Sequence, residues 1–401
     1  MEQNGRLVIT RHREQERERI LSVFYENGKA VELSCFGAEE DELLGSIYIG
    51  KVKNIMKNIE AAFIEIEGGI LCYYSLREKE EPLYIKEKKG SSLSPGDELL
   101  VQVSREAVKT KAPAVTCNLN FPGKYLVLTT GKKQLGLSSK LPREEKERLR
   151  KTAEPFLTGE YGVIVRTNAA GVPEEMLREE FERLNRICRR VLTAGKHQSC
   201  FSRVYQEPPA YAAGIRSLRK EQLSEIVTDD PRIYETLSRY LCAYQPEDKG
   251  KLRFYTDESP SLNRLYGVSS SLEAALKERV WLKSGAYLII QPTEALTVID
   301  VNTGKYDGHK KLRETFLGIN LEAAGEIARQ IRLRNLSGII VVDFIDMDEE
   351  EDKKALTDLL EQKLGRDPVK TVLVDMTPLG LVEITRKKVR KTLREQVENN
   401  A

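Results

Sequence analysis

Two carboxylates close two apolar segments in the last third of the chain, and they are its strongest candidates for chemistry. Asp300 follows the segment ALTVI and precedes Asn302, whereas Asp343 follows GIIVV. Because side chains alternate across a strand, Asp300 and Asn302 are expected on one face. A carboxylate at the end of a buried strand is costly unless it is paired, hydrogen-bonded or bound to a metal. The pattern therefore predicts that Asp300 and Asp343 converge on one divalent cation, with Asn302 supporting them.

Magnesium is the expected ion, because it prefers hard oxygen ligands and retains several waters. Mn²⁺ is a possible substitute, and an ion held in this way can position a water for attack on a phosphodiester. Zinc is not expected, since the chain has no Cys-x-x-Cys pair and its three histidines are dispersed. The competing interpretation is that each aspartate only ends a strand and caps a turn. Asp346 and Asp348 are interpreted in that second way, as N-caps of the next helix.

Three other groups of residues could bind nucleic acid. Aromatic residues beside a lysine on a small barrel (Phe63, Tyr73 and Lys111) could stack bases, although aromatic residues in strands more often belong to a core. Arg166 and Thr167, at the end of YGVIVRT, combine a guanidinium fork with a hydroxyl and could hold a phosphate. The basic run RKKVRKTLR at 386–394 is predicted as a helix that either lines an RNA channel or is a solvated face.

Composition limits the class of protein. The 401 residues carry a net charge of +2, with 40% hydrophobic and 31% charged residues, as expected for a multidomain globular protein without a polybasic coat. No apolar run is long enough to span a bilayer. The charged N-terminus lacks the apolar core of a signal peptide, and the six scattered cysteines are typical of reduced thiols. We therefore expect a cytoplasmic location.

The elements that would position these residues fall into blocks. Residues 5–36 predict strands joined at an Asn27-Gly28 turn, and short strands between 45 and 118 predict a small β-barrel. Two helices rich in i,i+4 charge pairs follow, and their charges are interpreted as solvated faces. From 262 onwards, strands and helices alternate, which predicts an α/β layered domain.

Several long segments resemble the ribonuclease E/G family. Over 262–394 these are LNRLYG, ERVWLKSGAYLIIQPTEALTVIDVNTG, NLEAAGEIARQIRLRNLSGIIVVDFIDM and LGLVEITRKKVRKTL. GSIYIGKVKNI and EAAFIEIEGG resemble the S1 domain of that family, and FPGKYLVL with GVIVRTNAAG resembles its 5′-sensor.

The resemblance implies a multidomain α/β fold. An S1 (OB-type) barrel and a 5′-sensor domain would be inserted into a ribonuclease-H-like domain, and a DNase-I-like α/β catalytic domain would follow. The implied ranges are 1–38 with 214–278 for the split ribonuclease-H-like domain, 39–118 for S1, 119–213 for the sensor and 279–401 for the catalytic domain.

The implied activity is that of an endoribonuclease. It would cut single-stranded, A/U-rich RNA by Mg²⁺-dependent hydrolysis, be stimulated by a 5′-monophosphate, and act in rRNA processing and mRNA decay. The family's catalytic aspartates and asparagine match Asp300, Asp343 and Asn302; its S1 surface matches Phe63, Tyr73 and Lys111; its sensor matches Arg166, Thr167, Gly123 and Val127, with Lys370 where the family has arginine. The alternative is a non-catalytic S1-type RNA-binding or scaffolding protein, which would not need the Asp300, Asn302 and Asp343 set.

The expected partner is single-stranded RNA. The family's Cys-x-x-Cys zinc link and small domain do not occur within these 401 residues. The family's tetramer is therefore not expected, and a homodimer through the catalytic domain is the assembly that stays compatible with the resemblance.

Overall fold

The computed structural model describes residues 5–14, 17–38, 43–78, 80–86, 92–107, 111–218, 222–257, 259–304 and 312–399. The chain forms two compact α/β units. The first comprises Met1–Ala38, Leu218–Ser238 and Gly250–Ala401, and the second comprises Glu39–Ser217 and Arg239–Lys249. Within the described ranges, no helix is both long enough and apolar enough to cross a membrane.

The first unit begins with an antiparallel meander of β1 (Gly5–Glu14), β2 (Arg17–Glu26) and β3 (Lys29–Gly37). Asn27 and Gly28 join β2 to β3 with φ angles of 50° and 77°. Asparagine and glycine tolerate this left-handed region better than other residues do, which is why the pair predicts a two-residue hairpin. That prediction is confirmed.

A barrel follows in the second unit. Its strands are β4 (Ile47–Met56), β5 (Ala61–Glu65), β6 (Leu71–Ser75), β7 (Glu98–Arg105) and β8 (Ala114–Thr116). The pairing order β4-β5-β6-β8-β7 closes because β7 also pairs with β4. Side chains on the inner face, such as those of Val52, Ile64 and Val101, are fully buried. This closed barrel of five described strands is consistent with the predicted S1-type domain.

The rest of the second unit surrounds another small sheet. Its elements are β9 (Asn120–Pro122), β10 (Leu126–Thr129), β11 (Leu135–Leu137), α1 (Arg143–Ala153), β12 (Gly162–Val165), α2 (Glu174–Gly195), β13 (Arg203–Tyr205) and α3 (Ala210–Ala213). The order is β11-β12-β10-β9, while β13 joins β4. A stripe on α2 that includes Leu177, Leu184 and Val191 packs into this core. Both predicted helices are present.

The chain then returns to the meander. β14 (Glu225–Thr228), α4 (Pro231–Tyr244), β15 (Leu252–Phe254), α5 (Leu262–Tyr266) and α6 (Val268–Leu276) follow in order. β14 pairs in parallel with β1 and with β15, so the described strands lie in the order β15-β14-β1-β2-β3.

The last block of the first unit is the predicted alternation of strands and helices. It consists of β16 (Arg279–Trp281), β17 (Tyr287–Pro292), β18 (Leu296–Asn302), α7 (Leu312–Leu333), β19 (Gly338–Asp343), α8 (Glu350–Leu364), β20 (Thr371–Met376), β21 (Leu381–Arg386) and α9 (Leu393–Asn399). The strand order is β16-β17-β18-β19-β21-β20. Helices α7 and α8 bury one face of this sheet.

The opposite face of this sheet is more exposed, and we call it the open face. Val298 and Ile339 lie on it with 36% and 51% of their surface exposed, whereas their neighbours Ile299 and Ile340 are fully buried against the helices. The strand period of two residues therefore divides each strand between a core and a surface.

The basic helix predicted for 386–394 is wrong. Arg386 is the last residue of β21 and is buried, because its guanidinium pairs with the Asp367 carboxylate at 2.7 Å. The following helix begins only at Leu393. A run of cations does not show which of its members pairs with a buried carboxylate, so the sequence pattern predicted a helix that begins too early in the chain.

Candidate functional site

Asp300 and Asp343 lie side by side on the open face. β18 and β19 run parallel, and their register pairs Asp300 directly with Asp343. Neighbouring strands lie about 4.8 Å apart, so the two side chains leave the sheet as neighbours. Asn302 lies on the same face of β18, and its Nδ2 donates a hydrogen bond of 2.7 Å to Asp300 Oδ2. The three residues predicted to act together are thus adjacent.

The prediction that Asp343 ends a buried strand is wrong. Asp343 is exposed and Asp300 is half-buried. The run GIIVV suggests burial on both faces, but helices cover only the face that carries Ile340 and Val342. Asp343 therefore reaches solvent, and its position does not need a metal to offset a burial cost.

Two residues fix the backbone after Asp343. Phe344 is buried in the core beneath the sheet. Asn320 of α7 is fully buried and bonds both backbone groups of Ile345: its Nδ2 donates to the carbonyl at 2.8 Å, and its Oδ1 accepts from the amide at 3.1 Å. These contacts hold the end of β19, so the direction of the Asp343 side chain is set by the core.

The electrostatics at this end of the sheet are dominated by negative charge. Partial desolvation, followed by the charges of Asp300 and Asp346, raises the pKa of Asp343. The predicted capping roles of Asp346 and Asp348 are wrong, because Glu349 is the N-cap of α8 and no side chain caps that helix. Among the described residues, no three His, Cys, Asp or Glu side chains form a group that could hold a metal ion.

The predicted stacking residues lie on the barrel. Phe63 of β5 and Tyr73 of β6 are register partners, and their half-buried rings meet edge to face with centroids 6.3 Å apart. Lys111 is exposed just before β8. Two residues later, the Pro113 carbonyl accepts a hydrogen bond of 2.8 Å from the Tyr73 amide. The segment that begins with Lys111 is thus hydrogen-bonded to the strand that carries Tyr73.

Arg166 and Gly123 are in direct contact. The Arg166 Nη1 donates to the Gly123 carbonyl at 2.5 Å and to the Arg216 carbonyl at 3.3 Å. Burial, and then the charge of Arg216, lower the pKa of the Arg166 guanidinium. The fork that the sequence predicts for a phosphate therefore already bonds to backbone carbonyls.

Thr167 and Val127 lie beside this contact. Thr167 follows Arg166 and shares a hydrogen bond of 2.8 Å with the Ser138 hydroxyl. Val127 is a half-buried residue of β10, and it pairs with Pro122 on one side and with Ile164 on the other.

Glu180 is the residue near this site that the sequence did not predict. It is 1% exposed, and its carboxylate accepts hydrogen bonds from the successive amides of Lys124, Tyr125 and Leu126 at 2.7–2.8 Å. A Cβ on Gly123 would lie 2.6 Å from the Glu180 carboxyl carbon, so this approach requires glycine. The charged pattern of α2 predicts a solvated face, which is wrong for Glu180.

Lys370 lies in the first unit, directly before β20. Its side chain is exposed, and its carbonyl accepts a hydrogen bond of 3.0 Å from the Lys387 amide. The other predicted sensor residues lie in the second unit.

Comparison with known proteins agrees with the earlier resemblance. Residues 120–389 match the model of the Ribonuclease E/G family. The chain is 36% identical to Ribonuclease G of Salmonella typhimurium over 362 residues, which covers 88% of this chain and 74% of that protein. The values for Ribonuclease G of Escherichia coli K12 are 35%, 88% and 74%. Ribonuclease E of Synechocystis is 36% identical over 95% of this chain and 57% of its own length. The chain therefore belongs to the ribonuclease E/G family.

Proposed function

We propose that this chain is an endoribonuclease that cuts single-stranded, A/U-rich RNA by Mg²⁺-dependent hydrolysis in the cytoplasm, acting in rRNA processing and mRNA decay. Family membership supports the activity on RNA. The observation that carries the proposed chemistry is the parallel register of Asp300 and Asp343, which places two carboxylates side by side at the surface of a sheet.

The donor set fits a magnesium ion. Mg²⁺ usually takes one or two carboxylates from a protein, so the pair is sufficient; the ion retains waters and binds substrate phosphates in the remaining positions. Asp300 and Asp343 repel each other, and a cation between them would remove that repulsion. When bound, the ion would stabilise the negative charge that develops on the reacting phosphate.

The residues of the chain have separate roles in this proposal. Asp300 and Asp343 hold the cation, while the Asn302 amide orients the Asp300 carboxylate through its 2.7 Å hydrogen bond. Asn320 maintains the direction of Asp343 through the backbone of Ile345. Phe63, Tyr73 and Lys111 would bind the strand at the barrel by stacking and by charge.

We also propose that a 5′-monophosphate stimulates cleavage. Arg166, Thr167, Gly123 and Val127 would form its pocket, while the part of Lys370 in the sensor stays a prediction. What supports this proposal is proximity: the Arg166 guanidinium contacts the Gly123 carbonyl, and Thr167 follows Arg166 in the chain. A lysine at position 370 offers a point charge instead of a rigid fork, so discrimination would be weaker than with arginine.

The test is cleavage of a short A/U-rich RNA that carries a 5′-monophosphate, with Mg²⁺ or with EDTA. We expect products with 5′-phosphate and 3′-hydroxyl ends that form only with Mg²⁺, and slower cleavage of a 5′-hydroxyl version. Stable binding without products under every condition would favour a non-catalytic RNA-binding protein. Cleavage that persists in EDTA would contradict the metal-dependent mechanism.

A further inference from the structure

An exposed aromatic pair lies beside Asn302 on the open face. Trp281 of β16 is 63% exposed, and its ring centroid is 5.2 Å from that of the half-buried Tyr287 of β17, with a tilt of 59°. A tryptophan with most of its surface in water does not stabilise a core. Exposed aromatic residues of this kind often mark a binding surface.

The strand register places this pair in one row with the candidate active site. Trp281 is the register partner of Tyr287, and Tyr287 is the register partner of Asn302. Opposite residues of antiparallel strands point to the same face with Cα atoms about 4.5–5.5 Å apart, so the row spans about 10 Å. The rings therefore begin one strand away from the residue that orients Asp300.

Arg279 adds a positive charge to the same face. Its guanidinium carbon lies 4.7 Å from the centroid of Tyr287 and 5.7 Å from that of Trp281. It has no carboxylate partner within ion-pair distance in the described part of the chain. The register links Arg279 through Ile289 to Asp300, so this cation lies in the row of the carboxylates themselves.

The hairpin that carries the rings is fixed. The Leu282 amide donates to the Ala286 carbonyl at 2.8 Å, and the Glu322 carboxylate of α7 accepts from the amides of Lys283 and Ser284 at 2.7 and 3.2 Å. Gly304 packs against this turn so closely that a Cβ would lie 2.4 Å from the Gly285 carbonyl oxygen. Little conformational entropy would therefore be lost when a ligand binds the rings.

We propose that Trp281, Tyr287 and Arg279 form a stacking subsite that holds one base of the RNA next to the phosphate being cut. This rests on the proposed endoribonuclease function. Aromatic faces bind any base, and an adjacent guanidinium contacts the phosphate or the base plane. The occupant is a nucleotide because the row joins rings, a cation and the candidate catalytic carboxylates on one face. A purely apolar partner would not use Arg279.

Trp281 is the only tryptophan of the chain, so its fluorescence reports on this subsite alone. The probe is an A/U-rich single-stranded RNA with a 5′-monophosphate, titrated in EDTA so that it is bound but not cut. We expect the emission to change in a saturable way, with the midpoint that fluorescence anisotropy gives for a labelled copy of the RNA. Saturation by anisotropy without a change in emission would overturn the subsite and leave the proposed function intact.

Two other outcomes are also decisive. Emission that depends on protein concentration but not on RNA would assign Trp281 to contact with a second copy of this chain, which overturns the subsite. No RNA binding by either measurement would overturn the proposed function, and the subsite with it.

Variants test the role in cleavage. Trp281→Ala should raise KM about 5- to 150-fold, the range expected for loss of one base–aromatic stack, with a smaller effect on kcat. Trp281→Tyr should recover most of the loss. Val374→Ala, which truncates another exposed apolar side chain (53% exposed) on β20, should leave KM unchanged. Equal effects of Trp281→Ala and Val374→Ala would contradict stacking.

An abasic nucleotide, placed in turn at each position near the cut, locates the base. At one position, the abasic RNA and Trp281→Ala should have non-additive effects on KM, because each removes the same contact. Additive effects at every position would overturn the assignment of a base to these rings.

Discussion

The candidate active site and the candidate phosphate pocket differ in how far their charged side chains are already bonded to other groups of the chain. On the open face, Asp300 and Asp343 lie together and have no ion-pair partner among the described residues, and the pKa of Asp343 is raised. In the second unit, Arg166 already donates to backbone carbonyls, and Glu180 accepts from three amides. The carboxylates of the first site are therefore available to a cationic ligand, whereas the charged side chains of the second site stabilise the fold.

This difference has a consequence for substitutions. Removing the charge of one of two repelling carboxylates at a surface should not destabilise the protein, because neither has an ion-pair partner among the described residues and Asp300→Asn keeps an oxygen that can accept from Asn302. Removing a buried, hydrogen-bonded group leaves its partners unsatisfied, which costs about 1–3 kcal/mol per group. Activity and stability should therefore separate at the open face and change together at the pocket.

The largest effect is expected at the carboxylate pair. Asp300→Asn or Asp343→Asn should lower the cleavage rate by more than about 100-fold. Loss of a residue that only supports a metal ligand costs up to about 100-fold, and loss of the ligand itself should cost more. The melting temperature should stay the same or rise, since like-charge repulsion is removed. The measurement is cleavage together with thermal unfolding. Asp375 is an exposed carboxylate on β20 of the same sheet, so the Asp375→Asn variant is the control and should cleave RNA at the wild-type rate. A large fall in melting temperature would mean that the pair is structural.

The next effect should be on affinity at the barrel. Phe63→Ala should weaken binding of single-stranded RNA by about 1–3 kcal/mol if the ring stacks on a base. Because Phe63 is half-buried against Tyr73, some stability should be lost as well. Anisotropy titrations in EDTA measure the affinity, and Leu71→Ala on the same barrel, at a position 45% exposed, is the matched control. An unchanged Kd would assign the ring pair to packing.

Arg166→Ala tests the candidate phosphate pocket. Both the preference for a 5′-monophosphate and the stability of the fold should change. The preference for 5′-monophosphorylated over 5′-hydroxyl RNA should fall, while the free energy of unfolding should drop by about 1–3 kcal/mol as the carbonyls of Gly123 and Arg216 lose their donor. Relative cleavage rates and chemical denaturation measure the two effects. An unchanged preference with lowered stability would show that Arg166 is only structural.

The smallest effect is expected at the loop that carries Thr167. Glu145 of α1 accepts from the Gly171 amide at 2.9 Å and from Arg148, which in turn donates to the Ala169 and Val172 carbonyls. Arg148, and then the Gly171 amide, lower the pKa of Glu145 from 4.5 to about 2. A lowered pKa stabilises the fold above pH 4.5, and this contribution is lost as the pH falls towards 2.

Glu145→Gln should therefore cost about 0.2–1 kcal/mol at neutral pH, as for other exposed pairs, and the difference from the wild type should shrink below pH 4.5. Chemical denaturation between pH 7 and pH 3 measures it. A difference that is constant with pH would show that the charge of Glu145 does not fasten this loop.

The sequence correctly predicted the features that neighbouring residues determine. Asn27-Gly28 specifies its own turn, and the alternation in ALTVIDVN places Asp300 and Asn302 on one face. Closure of the barrel followed from short alternating strands. These features depend on backbone preference and on periodicity, which neighbouring residues determine.

The failed predictions depend on distant contacts. The exposure of Asp343 depends on which face α7 and α8 cover, and the burial of Arg386 depends on Asp367. Glu180 occurs in a helix whose charges are mostly solvated, and only the backbone turn at 124–126 explains it. No local pattern identifies such partners. The row from Trp281 to Asn302 likewise requires the register of three strands.

The most direct test of the metal-carboxylate assignment is the cleavage rate of one 5′-monophosphorylated, A/U-rich RNA during a titration with Mg²⁺, for the wild type and for Asp343→Asn. We predict that the wild-type rate rises from zero in EDTA to a plateau, while the variant binds the RNA and stays at background throughout. A variant that reaches the wild-type plateau at the same Mg²⁺ concentration would contradict the assignment of Asp343 to the metal site.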